Sequence, residues 1–328
     1  MAATENPMYS TFIVNCVINA LSSYTAIMLN ILTIHAMRKT LSLPKPLKTL
    51  LLSLTVSDLA VGLVGQPFYI ALMVATLKET SVSRFTANWY RFFTGIFSWT
   101  SFLGVVAVSV DRLLAIQLHL RYRAVVTHKR VVGVVISIWL CSTILSVTLA
   151  FSLIPINAEI TRVVLAVTMG LCFICTAIIY CKIYFTVRRH RNQINVLQVP
   201  QQETRNGEGA NAVRQRKSAV GTFFIYLVFL ICYLPEYCRL LLIILPNDPS
   251  NIHMIRFYWF SWTLLFLNSA LNPLVYCWKM RNIRRAAMNT IRSILSKPQV
   301  NNATLNSDIE GWSNSARLTV HSRPDTRF

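Results

Sequence analysis

The chain has 328 residues, of which 54% are hydrophobic and only 13% charged, with a formal net charge of +20. So few charges leave too little polar surface for a soluble globule of one or two domains. On a soluble protein this basic excess would suggest nucleic acid, but here it falls between long uncharged stretches and reads as membrane topology, so no nucleic-acid partner is expected.

Charges withdraw from seven stretches: Asn6 to Met37, Thr49 to Leu77 (broken only by Asp58), Phe92 to Val110, Val131 to Ala158, Val163 to Cys181, Ser218 to Pro235 and Phe257 to Trp278. A bilayer core of about 30 Å needs roughly 20 residues of helix, and helix satisfies its own backbone in lipid. The sequence therefore predicts an all-α membrane protein, a seven-helix bundle over residues 10–278. Residues 1–9 precede it with no basic n-region and no cleavage site, so the first stretch is expected to act as an uncleaved signal anchor. The second stretch carries Asp58, and an ionisable group deep in lipid costs about 2.5–3.5 kcal/mol on insertion scales, which makes it a functional candidate. The third ends in Ser109-Val-Asp111-Arg112-Leu113, an acid and a base together at the membrane boundary. Between the fifth and sixth, Arg188 to Lys217 carries Pro200, Gly207 and Gly209 and reads as two helix extensions joined by a mobile loop. The sixth holds Phe229 and Cys232-Tyr233-Leu234-Pro235. In the seventh, Asn268 and Asn272 lie one turn apart and Pro273 frees a carbonyl. Residues 279–295 alternate basic residues with Met280, Ile283, Ala286, Ala287, Ile291 and Ile294, an amphipathic helix for the membrane surface, and residues 296–328 form a polar, disordered tail.

Basic residues cluster in alternate connections: Arg38, Lys39, Lys45 and Lys48, then Arg121, Arg123, Lys129 and Arg130, then the 188–217 block and the tail from Lys279. The other side keeps Lys78, Arg84, Arg91, Arg162, Arg239 and Arg256. By the positive-inside rule the N-terminus is extracellular and the C-terminus cytoplasmic, at the plasma membrane, with anionic inner-leaflet lipid as a further partner. All eight cysteines fall in or at the ends of spans, so no outer-loop disulfide is expected. The acceptor Asn302 with Thr304 falls on the cytoplasmic side, where glycosylation does not occur.

These motifs, in this order, resemble those of a rhodopsin-like (class A) G protein-coupled receptor. Asn30 resembles the family's first-helix asparagine, Ser53-Leu-Thr-Val-Ser-Asp58-Leu-Ala its second-helix signature and Asp111-Arg112-Leu113 its Asp-Arg-Tyr motif. Trp139 and Tyr180 match the fourth- and fifth-helix signatures, Cys232-Tyr233-Leu234-Pro235 resembles Cys-Trp-x-Pro, and Asn272-Pro273-Leu274-Val275-Tyr276 is a full Asn-Pro-x-x-Tyr motif. The resemblance implies a receptor with no enzymatic chemistry, coupled to a heterotrimeric G protein, with arrestin and receptor kinases as further partners acting on Ser307, Ser313, Ser315 and Thr319.

It also implies site residues. Asp58, Ser101, Asn268 and Asn272 match positions that enclose a sodium ion in the family, a hard cation suited to oxygen ligands; the other reading is a protonated Asp58 hydrogen-bonded to Asn30 and Asn272. Asp111 and Arg112 read either as a solvated pair at the membrane edge or as the resting pair, from which Arg112 turns toward Tyr180 and Tyr276 when the sixth helix swings out. Phe229, Tyr233, Pro235 and Pro273 complete the activation switch, with Phe102 and Cys172 in the packing cluster. Leu113, Tyr233, Cys172 in place of a proline and Gln215 in place of a glutamate depart from the pattern, and the last predicts a weak resting lock with elevated basal signalling.

Candidate ligand-binding residues are Arg91, Thr94, Glu236, Tyr237, Arg239, Tyr258, Trp262 and Phe266, although Glu236 and Arg239, three apart on a helix, equally pair with each other. Thr94 replaces the aspartate of amine receptors, Phe266 the retinal lysine, and Ala87 the loop-disulfide cysteine. With a short, cysteine-poor second outer loop, these features group the chain weakly with melanocortin, cannabinoid and lysophospholipid receptors. The run from His119 to Thr127 looks like the second inner loop of melanocortin and adenosine receptors. A lipid, nucleoside or small peptide ligand stays open. The alternatives are a decoy receptor of the same fold and, less favoured, a transporter, since the sequence shows neither an internal repeat nor a polar path through the spans.

Overall fold

The computed structural model describes residues 8–40, 43–118, 121–151, 158–196, 208–244, 251–279 and 281–295. Among these residues the chain is helical, with no strand: α1 (Tyr9–Lys39), α2 (Lys45–Ala60), a π turn (Val61–Gly65), α3 (Gln66–Leu77), α4 (Arg84–Leu118), α5 (Tyr122–Val125), α6 (His128–Phe151), α7 (Ala158–Val196), α8 (Glu208–Ile244), α9 (Ile252–Lys279) and α10 (Arg281–Leu295). Helix α2, the π turn and α3 form one continuous span. Six spans among the described residues are long and apolar enough to cross a membrane. The seventh, α9, has 28 residues but is less apolar, because Asn268, Ser269, Asn272 and Pro273 occupy its middle. Residues Met1–Ala287 form one compact unit, and the end of α10 belongs to a second, Met288–Phe328. The tail residues Asn302, Ser307, Ser313, Ser315 and Thr319, the loop residues His119 and Leu120, and the Gln215 side chain lie outside the described residues.

Within the first unit, burial runs opposite to that of a soluble protein. Asn15, Asn19, Asn30, Thr55, Asp58, Gln66 and Asn272 are fully buried, while Leu21, Tyr24, Ile144 and Ile231 each expose about two-thirds of their surface. An apolar surface this large is a liability in water and the expected exterior in lipid. Helix α4 packs on α2, α6, α7 and α8, and α9 lies against both α1 and α8. Two close approaches depend on small residues. A Cβ at Gly62 would sit 3.2 Å from Ala26 Cβ on α1, and one at Gly95 would sit 2.8 Å from Ser146 Oγ on α6. Without hydrophobic contrast between helix and lipid, backbone proximity is a main source of cohesion.

The π turn follows from local chemistry. Pro67 has no N–H to offer the helix, and the Gln66 N–H reaches back five residues to Val61 O. That register is rare and recurs at functional sites. It lies one residue beyond the turn of α2 that carries Asp58.

Candidate functional site

Three groups of polar side chains occupy the interior. The central one surrounds Asp58, whose carboxylate is fully buried. Ser101 Oγ on α4 donates to its Oδ1 at 3.2 Å, and Asn272 Nδ2 on α9 donates to its Oδ2 at 2.8 Å. Asn30 does not bond to Asp58, as one sequence reading had it. Its amide donates to Ala26 O at 2.8 Å and to Ser269 O at 3.0 Å. The reason is Pro273, which has no N–H for the carbonyl four residues earlier; that carbonyl is Ser269 O. Asn268 Oδ1 and Nδ2 and Asn272 Oδ1 are buried with no hydrogen-bond partner. Asn268 stands one turn from Asn272 on α9. A carboxylate, a hydroxyl and two amide carbonyls make an oxygen donor set that fits a small hard cation.

The second group lies where α4 ends. Arg112 Nε donates to Asp111 Oδ2 at 2.9 Å and its Nη2 reaches the same oxygen, with both side chains only 4% exposed. This is not a solvated pair. The other carboxylate oxygen, Oδ1, accepts from the Tyr122 hydroxyl of α5 at 2.7 Å. Burial, then the neighbouring Asp111 charge, push the Tyr122 hydroxyl well above its ordinary pKa, which keeps it a donor. One turn back, Ser109 Oγ donates to Tyr180 OH on α7 at 3.2 Å. Tyr180 stacks on Tyr226 of α8 at 4.7 Å and meets Phe223 edge-on at 5.6 Å. Tyr276 on α9 is fully buried and its hydroxyl has no partner.

An aromatic column connects the two ends. Phe102, Phe229 and Tyr233 have centroids 4.6–5.6 Å apart, and the Tyr233 hydroxyl donates to Ser98 O at 3.1 Å. The ring contributed by α7 is Phe173, 5.7 Å from both Phe102 and Phe229. Its neighbour Cys172, the sequence candidate for this cluster, is half-buried. Pro235 lies inside α8 and Pro273 inside α9.

At the opposite end, the candidate ligand residues divide. Glu236 accepts from Arg239 at 2.8 and 2.5 Å and from Ser261 Oγ on α9 at 2.9 Å, and Arg239 lies 5.2 Å above the Tyr258 ring. The pairing of these two along one helix is therefore what forms. Thr94 is buried with its hydroxyl returned to Tyr90 O at 2.6 Å, and Phe266 is fully buried against Tyr69 and Trp262. Tyr237 meets Phe173 edge-on at 5.5 Å. Arg91 is exposed. Trp262 Nε1 and the hydroxyl of the buried Tyr90 have no partner, and both lie beside the candidate ligand residues.

The comparison with protein families now decides the class. The model described as "7 transmembrane receptor (rhodopsin family)" matches residues 29–157 and 153–276. The chain belongs to this family. The receptor is 25% identical to adenosine receptor A2b of Gallus gallus, over 89% of this chain and 91% of the relative. It is 24% identical to melanocortin receptor 5 of Homo sapiens, over 78% and 77% of the two chains, and 25% identical to melanocortin receptor 3 of Rattus norvegicus, over 82% and 81%. Membership makes it a multi-pass plasma-membrane G protein-coupled receptor and not an enzyme.

Sequence reasoning missed several residues of the receptor's interior. Tyr122 was read only as part of a loop. Beside the three groups, a further buried network joins α1, α3 and α9: Asn19 Nδ2 donates to Thr263 Oγ1 at 2.8 Å, Gln66 Nε2 donates to Ser22 Oγ, and Tyr69 OH donates to Trp259 O at 2.7 Å. The available signal was helical spacing, since Asn15, Asn19, Ser22, Ala26, Asn30 and Thr33 repeat every three or four residues along α1.

Proposed function

We propose that this receptor converts binding of an extracellular ligand into activation of a heterotrimeric G protein on the side that carries Arg112. The observation that supports this most is the buried Asp111–Arg112 pair with Tyr122 across it. A buried pair is costly unless its geometry is well made, and a pair with a detachable third partner gives two discrete states. A ligand biases such states by its differential affinity for them. The N-terminus is then extracellular and the tail cytoplasmic, where kinases and arrestin would meet it. The names of the relatives include adenosine and melanocortin receptors, which keeps a nucleoside or a peptide beside a lipid in the ligand screen.

Asp58, Ser101, Asn268 and Asn272 would hold a sodium ion, whose charge offsets the buried carboxylate. Millimolar sodium should then oppose activation, and Asp58→Asn should abolish that dependence; an unaltered sodium response in the mutant removes the ion from the reading. The primary experiment measures ligand-free second-messenger output for wild type and Arg112→Ala at equal surface level. Output above background that the mutation abolishes supports coupling. Measurable output that survives the mutation contradicts the role of Arg112; background output from both fits a tightly silent receptor and a decoy alike, which ligand binding and arrestin recruitment then separate.

A further inference from the structure

One set of contacts belongs to none of the three groups. Lys279, the last residue of α9, places Nζ 3.7 Å from the centroid of the Phe224 ring on α8 and 3.4 Å from that of its neighbour Trp278. The two rings meet edge to face at 5.2 Å. An ammonium over ring faces is held by their quadrupoles, more strongly where water is excluded. Phe224 and Lys279 are half-buried, and Trp278 is exposed.

Charge cannot join these helices here. No acid occurs between Ala210 and Phe224 of α8, and none anywhere in α9. The stretch of α8 next to Phe224 also carries Phe223 and Tyr226, which pack on Tyr180. Phe224 is thus the point at which the Arg112 end of α8 meets a cation fixed to α9.

We propose that Lys279, Trp278 and Phe224 form a cation–π clasp that ties α8 to α9 in the resting receptor and opens when α8 moves away. This rests on the receptor reading for its consequence, but not for its existence.

The test uses the full-length receptor in lipid nanodiscs and three variants: Lys279→Met, which keeps the stem and removes the charge, Phe224→Leu, which removes the ring, and Lys279→Arg, which keeps the cation. Hydrogen–deuterium exchange is followed in peptides from the Arg112 end of α8, and ligand-free signalling is measured in parallel. Lys279→Met and Phe224→Leu should each raise exchange there by about two- to thirtyfold, the span of one cation–π contact from exposed to desolvated. The double variant should match the larger single effect, and Lys279→Arg should stay near wild type. Unchanged exchange in Lys279→Met, an equal rise in Lys279→Arg, or fully additive effects overturn the clasp. Exchange that rises as expected while signalling stays at background in every variant, wild type included, supports the clasp and counts against G protein coupling.

Discussion

Replacing Tyr122 by phenylalanine deletes a single hydroxyl from the Arg112 end of the bundle. That hydroxyl donates to Asp111 Oδ1 at 2.7 Å, while Arg112 occupies Oδ2. With Asp111 4% and Tyr122 7% exposed, water has little room to take its place. A hydrogen bond to a charged group contributes about 1.5–3 kcal/mol. If the contact exists in the resting state alone, its loss moves the resting-to-active ratio by about 12- to 160-fold, at about 1.36 kcal/mol per factor of ten. A receptor about 1% active without ligand would then pass more than about 10% of its molecules into the active state. Ligand-free second-messenger output at matched surface expression measures this directly, with Asp111→Ala alongside and the double variant to expose coupling. The double should match Asp111→Ala, since without the carboxylate the Tyr122 hydroxyl has no acceptor left to lose. Tyr122→Phe output within twofold of wild type would refute the reasoning. The pKa of the Tyr122 hydroxyl is raised by folding, so its contribution is fully present below the unfolded value near about pH 10 and lost as pH rises through the folded value. The difference between wild type and Tyr122→Phe should therefore be flat between about pH 6 and 9.

Four stability predictions can be read from thermal midpoints of purified receptor. Gly95→Ala pushes a Cβ to 2.8 Å from Ser146 Oγ and should cost about 1–3 kcal/mol; Ser146→Gly in the same chain should recover most of it. Glu79 ends α3 at φ 53°, where the Thr80 N–H closes onto Ala75 O at 2.9 Å, so Glu79→Gly should stabilise by about 1 kcal/mol by relieving a left-handed residue. Ser23→Ala removes the donor to Gly62 O at 2.8 Å and should destabilise by about 1–3 kcal/mol, and Asn30→Ala should cost a similar amount because Ser269 O loses the donor that replaces the missing N–H of Pro273.

What was legible in the sequence was set by solvent. Lipid enforces long uncharged helices, so the spans stood out by the absence of charge, and α9 did so even with two asparagines in its middle. Asp58, Arg112 and the prolines stood out because each is expensive where it sits. The partners of these residues were not legible, because pairing joins positions far apart in the chain. Asn30 meets Ser269 across 239 residues, and Phe224 meets a lysine that looked like the start of a basic surface helix. Glu236 and Arg239 had two readings at the sequence level, and only the third partner, Ser261 on another helix, shows how the carboxylate is occupied.

Three prolines inside the described spans show how these partners distribute stiffness. In the five-residue register of the π turn, the group facing Gly62 O would be the nitrogen of Pro67, which has no hydrogen; Ser23 Oγ supplies it instead. Pro273 frees Ser269 O in the same way, and Asn30 supplies that donor. Ser23 and Asn30 lie seven residues apart, two turns along one face of α1, so a single helix braces both breaks, as neighbouring side chains must where backbone is freed in lipid. Pro235 frees Ile231 O on α8, and no described side chain donates to it. Ile231 points outward, 65% exposed. An unbraced proline leaves a helix able to bend at that point. Among the described contacts, the segment beyond it, from Ile231 back to Phe224, is held chiefly by rings: Tyr226 on Tyr180, Phe229 on Phe102, and Phe224 under Lys279. Polar bonds fix α1, α3 and α9 to one another and tie the far end of α8 to α9 and α4 through Glu236 and Tyr233, while the Arg112 end of α8 rests mainly on aromatic contacts, which makes that end the part this architecture permits to move.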